Sequence, residues 1–272
     1  MLPKATPEKV TTLKDTTGEN LTTAVKEKAQ AALGKLTLPS GVTAELVPNQ
    51  DYTVPATTSN GDKDNVPVKV QYKDATGTVV AEDTINVPVT VVSSTSSKVV
   101  VFEGEKPTAE QAKAAVTSGT GGIVGTPAET ALPETAGKAG AKDVKVDVPV
   151  TYDNGKLIET VSVPVTVLPK ASGEVEIPKG ESVGKVKEVA KEKASALVEI
   201  ADFKGKLPAG ATVTVGDITE EVLSTITAEK GTNKGVVNVP ATYTVDGKTY
   251  NTTVPVTINV LGSEPKTVYT VE

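Results

Sequence analysis

Apolar and polar residues alternate in three long runs, spaced along the length of the chain. Val66, Val68, Val70 and Tyr72 share one phase, and Val87, Val89 and Val91 share the phase of the run that follows. A period of two predicts a pair of strands with one face turned inward. The same pairing recurs as Val148, Val150 and Tyr152 with Val163, Val165 and Val167. It recurs again as Val239, Ala241 and Tyr243 with Val254, Val256, Ile258 and Val260. Asp153-Asn154-Gly155 and Asp246-Gly247 are tight hairpin signals, and Thr76-Gly77 lies in a longer first hairpin. The first hairpin has four more residues between Tyr72 and Pro88 than its counterparts. An even insertion leaves every side chain on its face.

Upstream of two hairpins the period changes to that of a helix. Val25, Ala29, Ala32 and Leu33 form an apolar stripe within roughly 21–33, opposite a Lys/Glu face. Val189-Ala190-Lys191-Glu192-Lys193-Ala194 repeats that pattern over 189–198, and a shorter version spans 107–116, with Thr108 as the cap and Gln111 three residues on. Leu38-Pro39-Ser40-Gly41 and Leu207-Pro208-Ala209-Gly210 are turns, each leading into a Val/Thr strand, 42–46 and 211–215. The middle copy keeps no such segment; its 119–142 stretch is rich in Gly, Ala, Thr and Pro and reads as a trimmed version. Each copy therefore reads as opening strand, helix, strand and closing hairpin.

Pro88, Pro164 and Pro255 sit at the same place in the three closing strands, 76 and 91 residues apart. Repetition at such spacing predicts a tandem array. The expected domains are 1–95 (a long form), 96–169 (a short form) and 170–262 (a long form), with 263–272 as the start of a further repeat or a tail. Leu2-Pro3-Lys4-Ala5 returns as Leu168-Pro169-Lys170-Ala171 at the junction after the second copy, and Lys266–Glu272 echoes Lys98–Glu103, which opens the second. The chain thus reads as a piece of a longer array. The outward positions of the hairpins carry Pro67, Pro88, Pro149, Pro164, Pro240 and Pro255. Proline donates no ladder hydrogen bond, so these positions are expected at sheet edges or bulges, either because proline merely fits an edge strand or because it guards against pairing between neighbours.

With these elements in place, the sequence resembles the Rib and alpha-like repeats of Gram-positive cell-surface proteins, including the longer Rib variants. The matching residues are the Val148-Pro149-Val150-Thr151-Tyr152 strand, its turn, the Val163-Pro164-Val165-Thr166-Val167 return, the Leu-Pro-x-Gly turns, and Phe102-Glu103-Gly104-Glu105-Lys106-Pro107. The third hairpin departs with Ala241, and the first lacks the Val-Pro-Val-Thr-Tyr form. The resemblance implies a mostly β fold with short helices (α+β): three immunoglobulin-like β-sandwich domains end to end, with helix replacing part of a sheet. It also implies a tandemly repeated, wall-anchored extracellular stalk, and it brings no catalytic residues.

Composition narrows the chemistry. The 272 residues contain no Cys, no His and no Trp, and aromatics are 3%. Thiolate chemistry, disulfides and the usual neutral-pH base are therefore absent. A net charge of −6 opposes binding to nucleic acid phosphates, and no apolar run reaches the ~18 residues that span a bilayer. Asp62, Asp64 and Asn65 alternate as calcium ligands do, but three donors fall short of six or more, and a solvated turn is expected. Asp153-Asn154-Gly155 is expected to be a turn for the same reason. A Lys–Asn isopeptide bond needs both residues beside a buried acid. The hairpins contain no inward-facing trio, and Lys35 and Lys206 are the lysines to inspect. Asn20-Leu21-Thr22 and Asn251-Thr252-Thr253 match a glycosylation pattern by chance, and Leu168–Ser172 is a linker. Tyr72, Tyr152 and Tyr243 are in phase with inward valines and are expected in the core, whereas Tyr52, Tyr250 and Tyr269 are less constrained.

The resulting expectation is a monomeric, non-enzymatic spacer with no catalytic, cofactor-binding or metal-binding residues. Its partners are neighbouring repeats, and it carries an adhesive tip away from a bacterial wall. Three modules of ~40 Å give ~120 Å in line. The alternative expectation is direct adhesion to a host protein or glycan, with 119–142 as the place to look.

Overall fold

The computed structural model describes residues 2–219 and 234–261, which are mostly β with four α-helices. The elements are β1 (Val10–Leu13), α1 (Gly18–Gly34), β2 (Thr43–Leu46), β3 (Gly61–Lys73) and β4 (Val79–Val92) in the first part. They continue with β5 (Thr95–Ser96), β6 (Val99–Phe102), α2 (Ala109–Ala114), β7 (Val116–Thr117), β8 (Ile123–Val124), β9 (Lys145–Tyr152) and β10 (Leu157–Leu168). The last part has β11 (Gly173–Pro178), α3 (Val183–Glu199), α4 (Ala201–Gly205), β12 (Thr212–Val215), β13 (Lys234–Val245) and β14 (Lys248–Leu261).

These strands form three four-stranded sheets, ordered β1-β4-β3-β2, β6-β10-β9-β8 and β11-β14-β13-β12, plus a small β5-β7 ribbon. In each sheet the opening strand runs parallel to the closing one. The register is conserved: the valine after the closing-strand proline (Val89, Val165 or Val256) faces Val10, Val99 or Gly173. The expected middle-copy gap is filled in the sheet by β8, a two-residue strand in the place that β2 and β12 occupy.

By packing, the chain divides into two compact units. One comprises Met1–Ser97, Thr108–Ala131 and Val146–Val163; the other comprises Lys98–Pro107, Leu132–Lys145 and Pro164–Glu272. Each takes part of 96–169, so the units do not follow the ranges read from the repeats. The expected 263–272 tail lies outside the described residues.

In the first unit α1 covers one face of its sheet. Leu21, Val25, Ala29, Ala32 and Leu33 from the helix pack with Val66, Val68, Val70, Tyr72, Ile85, Val87 and Val89 from the strands. The helix starts one turn before the apolar stripe because Thr17 caps it, accepting from the Asn20 amide at 3.3 Å, with Glu19 in the first turn. Ser182 caps α3 in the same way at 3.2 Å, so that helix begins at Val183 rather than near 189. Its buried residues Val186, Ala190, Ala194 and Val198 correspond one for one with Leu21, Val25, Ala29 and Leu33. The expected Thr108–Gln111 capping box on α2 is formed, with both reciprocal bonds in place at 2.9 and 3.1 Å.

In the second unit the core joins Ile177, the α3 stripe, Phe203, Val237, Val239, Ala241, Tyr243, Val245, Val254, Val256 and Ile258 to Phe102 and Leu168. This core thus includes two residues of the expected middle domain.

The prolines are not on edge strands, as expected, but in inner ones. Pro88, Pro164 and Pro255 come one residue before the opening strand begins to pair. The carbonyls of Pro149 and Pro240 accept the last bonds from the outer side, given by the Gly125 and Gly216 amides at 2.8 Å each. A residue with no N–H placed there ends the outer ladder while the inner hairpin continues. Sequence period identifies the face of a strand residue but not its flank, which is why the expectation missed this arrangement.

Candidate functional site

Among the described residues, three inward tyrosines bond to the peptides that lead into the repeated segments. Tyr72 and Tyr243 occupy the same position in matching inward rows and are 2% and 0% exposed. Their hydroxyls donate to backbone carbonyls of the repeated Leu-Pro-Lys-Ala motif, Tyr72 to Pro3 at 3.0 Å and Tyr243 to Pro169 at 2.7 Å. The Phe102 ring meets Tyr243 edge-on at 5.1 Å, and Phe203 lies tilted at 6.3 Å. Lys170, next to Pro169, pairs with Glu105 at 2.8 Å.

Tyr152 does the equivalent with side chains. Its hydroxyl donates to Glu159 at 2.9 Å, accepts from the Gly119 amide at 3.2 Å, and lies 2.8 Å from the Ser94 hydroxyl. The Glu159 carboxylate also takes the Ser94 amide at 3.0 Å and its hydroxyl at 2.6 Å. Gly119 and Gly122 lie against Tyr152: a Cβ on Gly122 would come within 2.6 Å of the ring, and one on Gly119 within 2.8 Å of the Ser93 carbonyl. The glycines of the 119–142 stretch thus permit a close approach. The sequence signal was the tyrosine that recurs at one register position, but its partner Ser94 is 58 residues away and invisible to local pattern.

Burial raises the pKa of all three tyrosines, that of Tyr72 further through Asp83, and that of Tyr243 to about 12. Free tyrosine titrates near 10, so the folded form holds the phenolic proton more tightly than the unfolded form. The stability this gives is complete below pH ~10 and is lost as pH rises through about 12. An ultraviolet tyrosinate titration is expected to show a late component that disappears in Tyr243→Phe. Uniform titration of every tyrosine near ~10 would contradict this placement.

The other candidates are separate from this network. Asp62 accepts from the Thr90 hydroxyl, while Asp64 and Asn65 are exposed beside a register shift in the β3–β4 ladder. Among the described residues no cluster of three or more acidic side chains is placed to hold a metal ion. Asp153-Asn154-Gly155 forms a turn with positive φ at all three residues, and Asp153 pairs with Lys28 at 3.6 Å. Lys35 pairs with Glu8 at 2.7 Å, holding that carboxyl below its usual range, and Lys206 pairs with Asp202 at 2.8 Å. Asn20 is exposed in the first turn of α1, and Asn251 is exposed and accepts from Thr242 at 3.0 Å. Tyr52 is half-buried under Lys26, whose Nζ is 4.9 Å from the ring centre; Tyr250 is also half-buried, and Tyr269 lies outside the described residues.

Two surface features remain. A cleft of about 420 Å³ is lined by Lys9, Asn60, Asp62, Thr90, Ser93 and Thr117, among others. Ile123 on β8 and Ile158 on β10 are 70% and 60% exposed.

No protein-family model matches the chain, and a search of curated proteins finds no match. Solved structures similar to it include a protocadherin GammaB4 extracellular domain (12% identity, 81% of this chain and 44% of that one, TM-score 0.19). They also include an endo-fucoidan hydrolase of glycoside hydrolase family 107 (14% identity, 83% and 38%, TM-score 0.19) and Drosophila N-cadherin EC1-4 (13% identity, 95% and 75%, TM-score 0.18). The chain spans less than half the length of the first two, and scores this low carry no argument about activity.

Proposed function

We propose that the chain is a structural spacer made of three tandem, Rib-like modules of immunoglobulin-like sandwich type, 1–95, 96–169 and 170–262. It belongs to the extracellular stalk of a Gram-positive wall-anchored surface protein and holds an adhesive tip away from the cell. The observation that carries this reading is the threefold recurrence of one strand order with one parallel register. Repetition of a fold unit adds length, whereas a single chemical site needs only one copy. The tyrosine contacts at both junctions support a mechanical role. The second reading, adhesion to a host protein or glycan, is favoured by the exposed Ile123 and Ile158 and by the hydroxyl-lined cleft beside Ser93.

Pulling single molecules from their ends tests the modular reading. Three separate unfolding events are expected, each releasing on the order of 250–330 Å of chain. One event spanning the whole length would contradict three modules. Saturable binding to a matrix protein or glycan, abolished by Ile123→Ser with Ile158→Ser, would favour the second reading.

A further inference from the structure

The geometry points to a tyrosine lock: in each copy the tyrosine in the inward row of the hairpin's first strand grips the peptide entering that copy and stiffens the junction. This rests on the spacer reading and specifies how it is achieved. The lock recurs at three places with one residue type at one position. Tyr72 holds the Pro3 carbonyl and Tyr243 the Pro169 carbonyl, each within a Leu-Pro-Lys-Ala segment. Tyr152, with Glu159, holds Ser94 by its amide and its hydroxyl.

The two grips on connectors between copies are reinforced by the chain around them. Pro169 is buried, Leu168 is 0% exposed, and Phe102 stacks edge-on to the locking ring, so the second connector is held by apolar packing as well as by the hydroxyl. The first connector is held by further backbone pairing. Thr95 and Ser96 pair with Thr117 and Val116, the Ser97 amide donates to the Ala115 carbonyl at 2.8 Å, and the Ser96 hydroxyl donates to the Ser162 carbonyl at 3.1 Å. A connector with its polar groups satisfied by the module it enters has few free torsions left to act as a hinge. The phenol suits this task because its ring stays in the valine core while its hydroxyl reaches the backbone at the module's end.

The test uses two conservative variants of the full chain and one readout at each connector. Tyr243→Phe keeps the ring and removes the hydroxyl. Trypsin cleavage after the exposed Lys170 is expected to accelerate about fivefold, the factor that one hydrogen bond of ordinary strength carries when cleavage follows the open population, while exchange of the Ser94 amide stays unchanged. Glu159→Gln is expected to do the reverse, with the Ser94 amide exchanging about tenfold faster and Lys170 cleavage unchanged. Either variant moving both readouts, or neither readout moving, would overturn the lock. Site-selective loosening in a particle that scatters as compact would sink the spacer reading and leave the lock standing; unselective loosening in an elongated particle would do the opposite.

Discussion

Tyr243→Ala is expected to cost about 3–5 kcal/mol of unfolding free energy, read from a denaturant titration. The ring is fully buried among valines and touches Phe102 and Phe203, and its hydroxyl satisfies the Pro169 carbonyl. Truncation removes all of these contacts together. A loss of that size is a large part of the stability of an ordinary domain, so the segment around β13 and β14 is expected to be substantially unfolded at 37 °C. The Phe variant should lose far less, because the core volume is kept. A loss below ~1 kcal/mol for Tyr243→Ala would mean that the ring is not the keystone of this core.

Leu21→Ala is expected to cost about 2–5 kcal/mol. The buried stripe of α1 is otherwise built from valine, two alanines and one further leucine, so few large side chains fasten the helix to its sheet. Leu21 is completely buried at the start of the helix, one turn from the Thr17 cap. Removing it leaves a cavity that the small neighbours cannot fill. Glu27→Ala, on the exposed face of the same helix, should change stability by no more than ~0.5 kcal/mol. Similar losses from the two variants would show that the helix is not docked through this stripe.

The hairpins were readable from sequence because valines at period two leave no choice of face, and every inward residue read from Val66 to Val91 and from Val148 to Val167 is buried. The helical stripes were readable for the same reason at period 3.6. Helix starts were placed late, by about one turn for α1 and nearly two for α3, because the caps Thr17 and Ser182 are followed by Gly18-Glu19-Asn20 and by Val183-Gly184-Lys185, which do not continue the Ala/Lys/Glu pattern. The proline positions were misread because flank depends on strand order, and strand order is a long-range property: β1 reaches β4 across an intervening helix and two strands. The lock was only half legible. Tyr72, Tyr152 and Tyr243 were placed in the core correctly, but a hydroxyl reaching Pro3, Ser94 or Pro169 spans 58 to 74 residues of chain. Phe102 was read only as part of an opening strand, and its edge-on contact with Tyr243 depends on how the following copy packs.

Small-angle X-ray scattering of the whole chain in dilute solution tests the central claim most directly. Three modules in line predict a longest dimension of ~120 Å and, for a rod of that length, a radius of gyration of about 35 Å. A radius near ~19 Å, the value for a single compact body of this many residues, would contradict the spacer account.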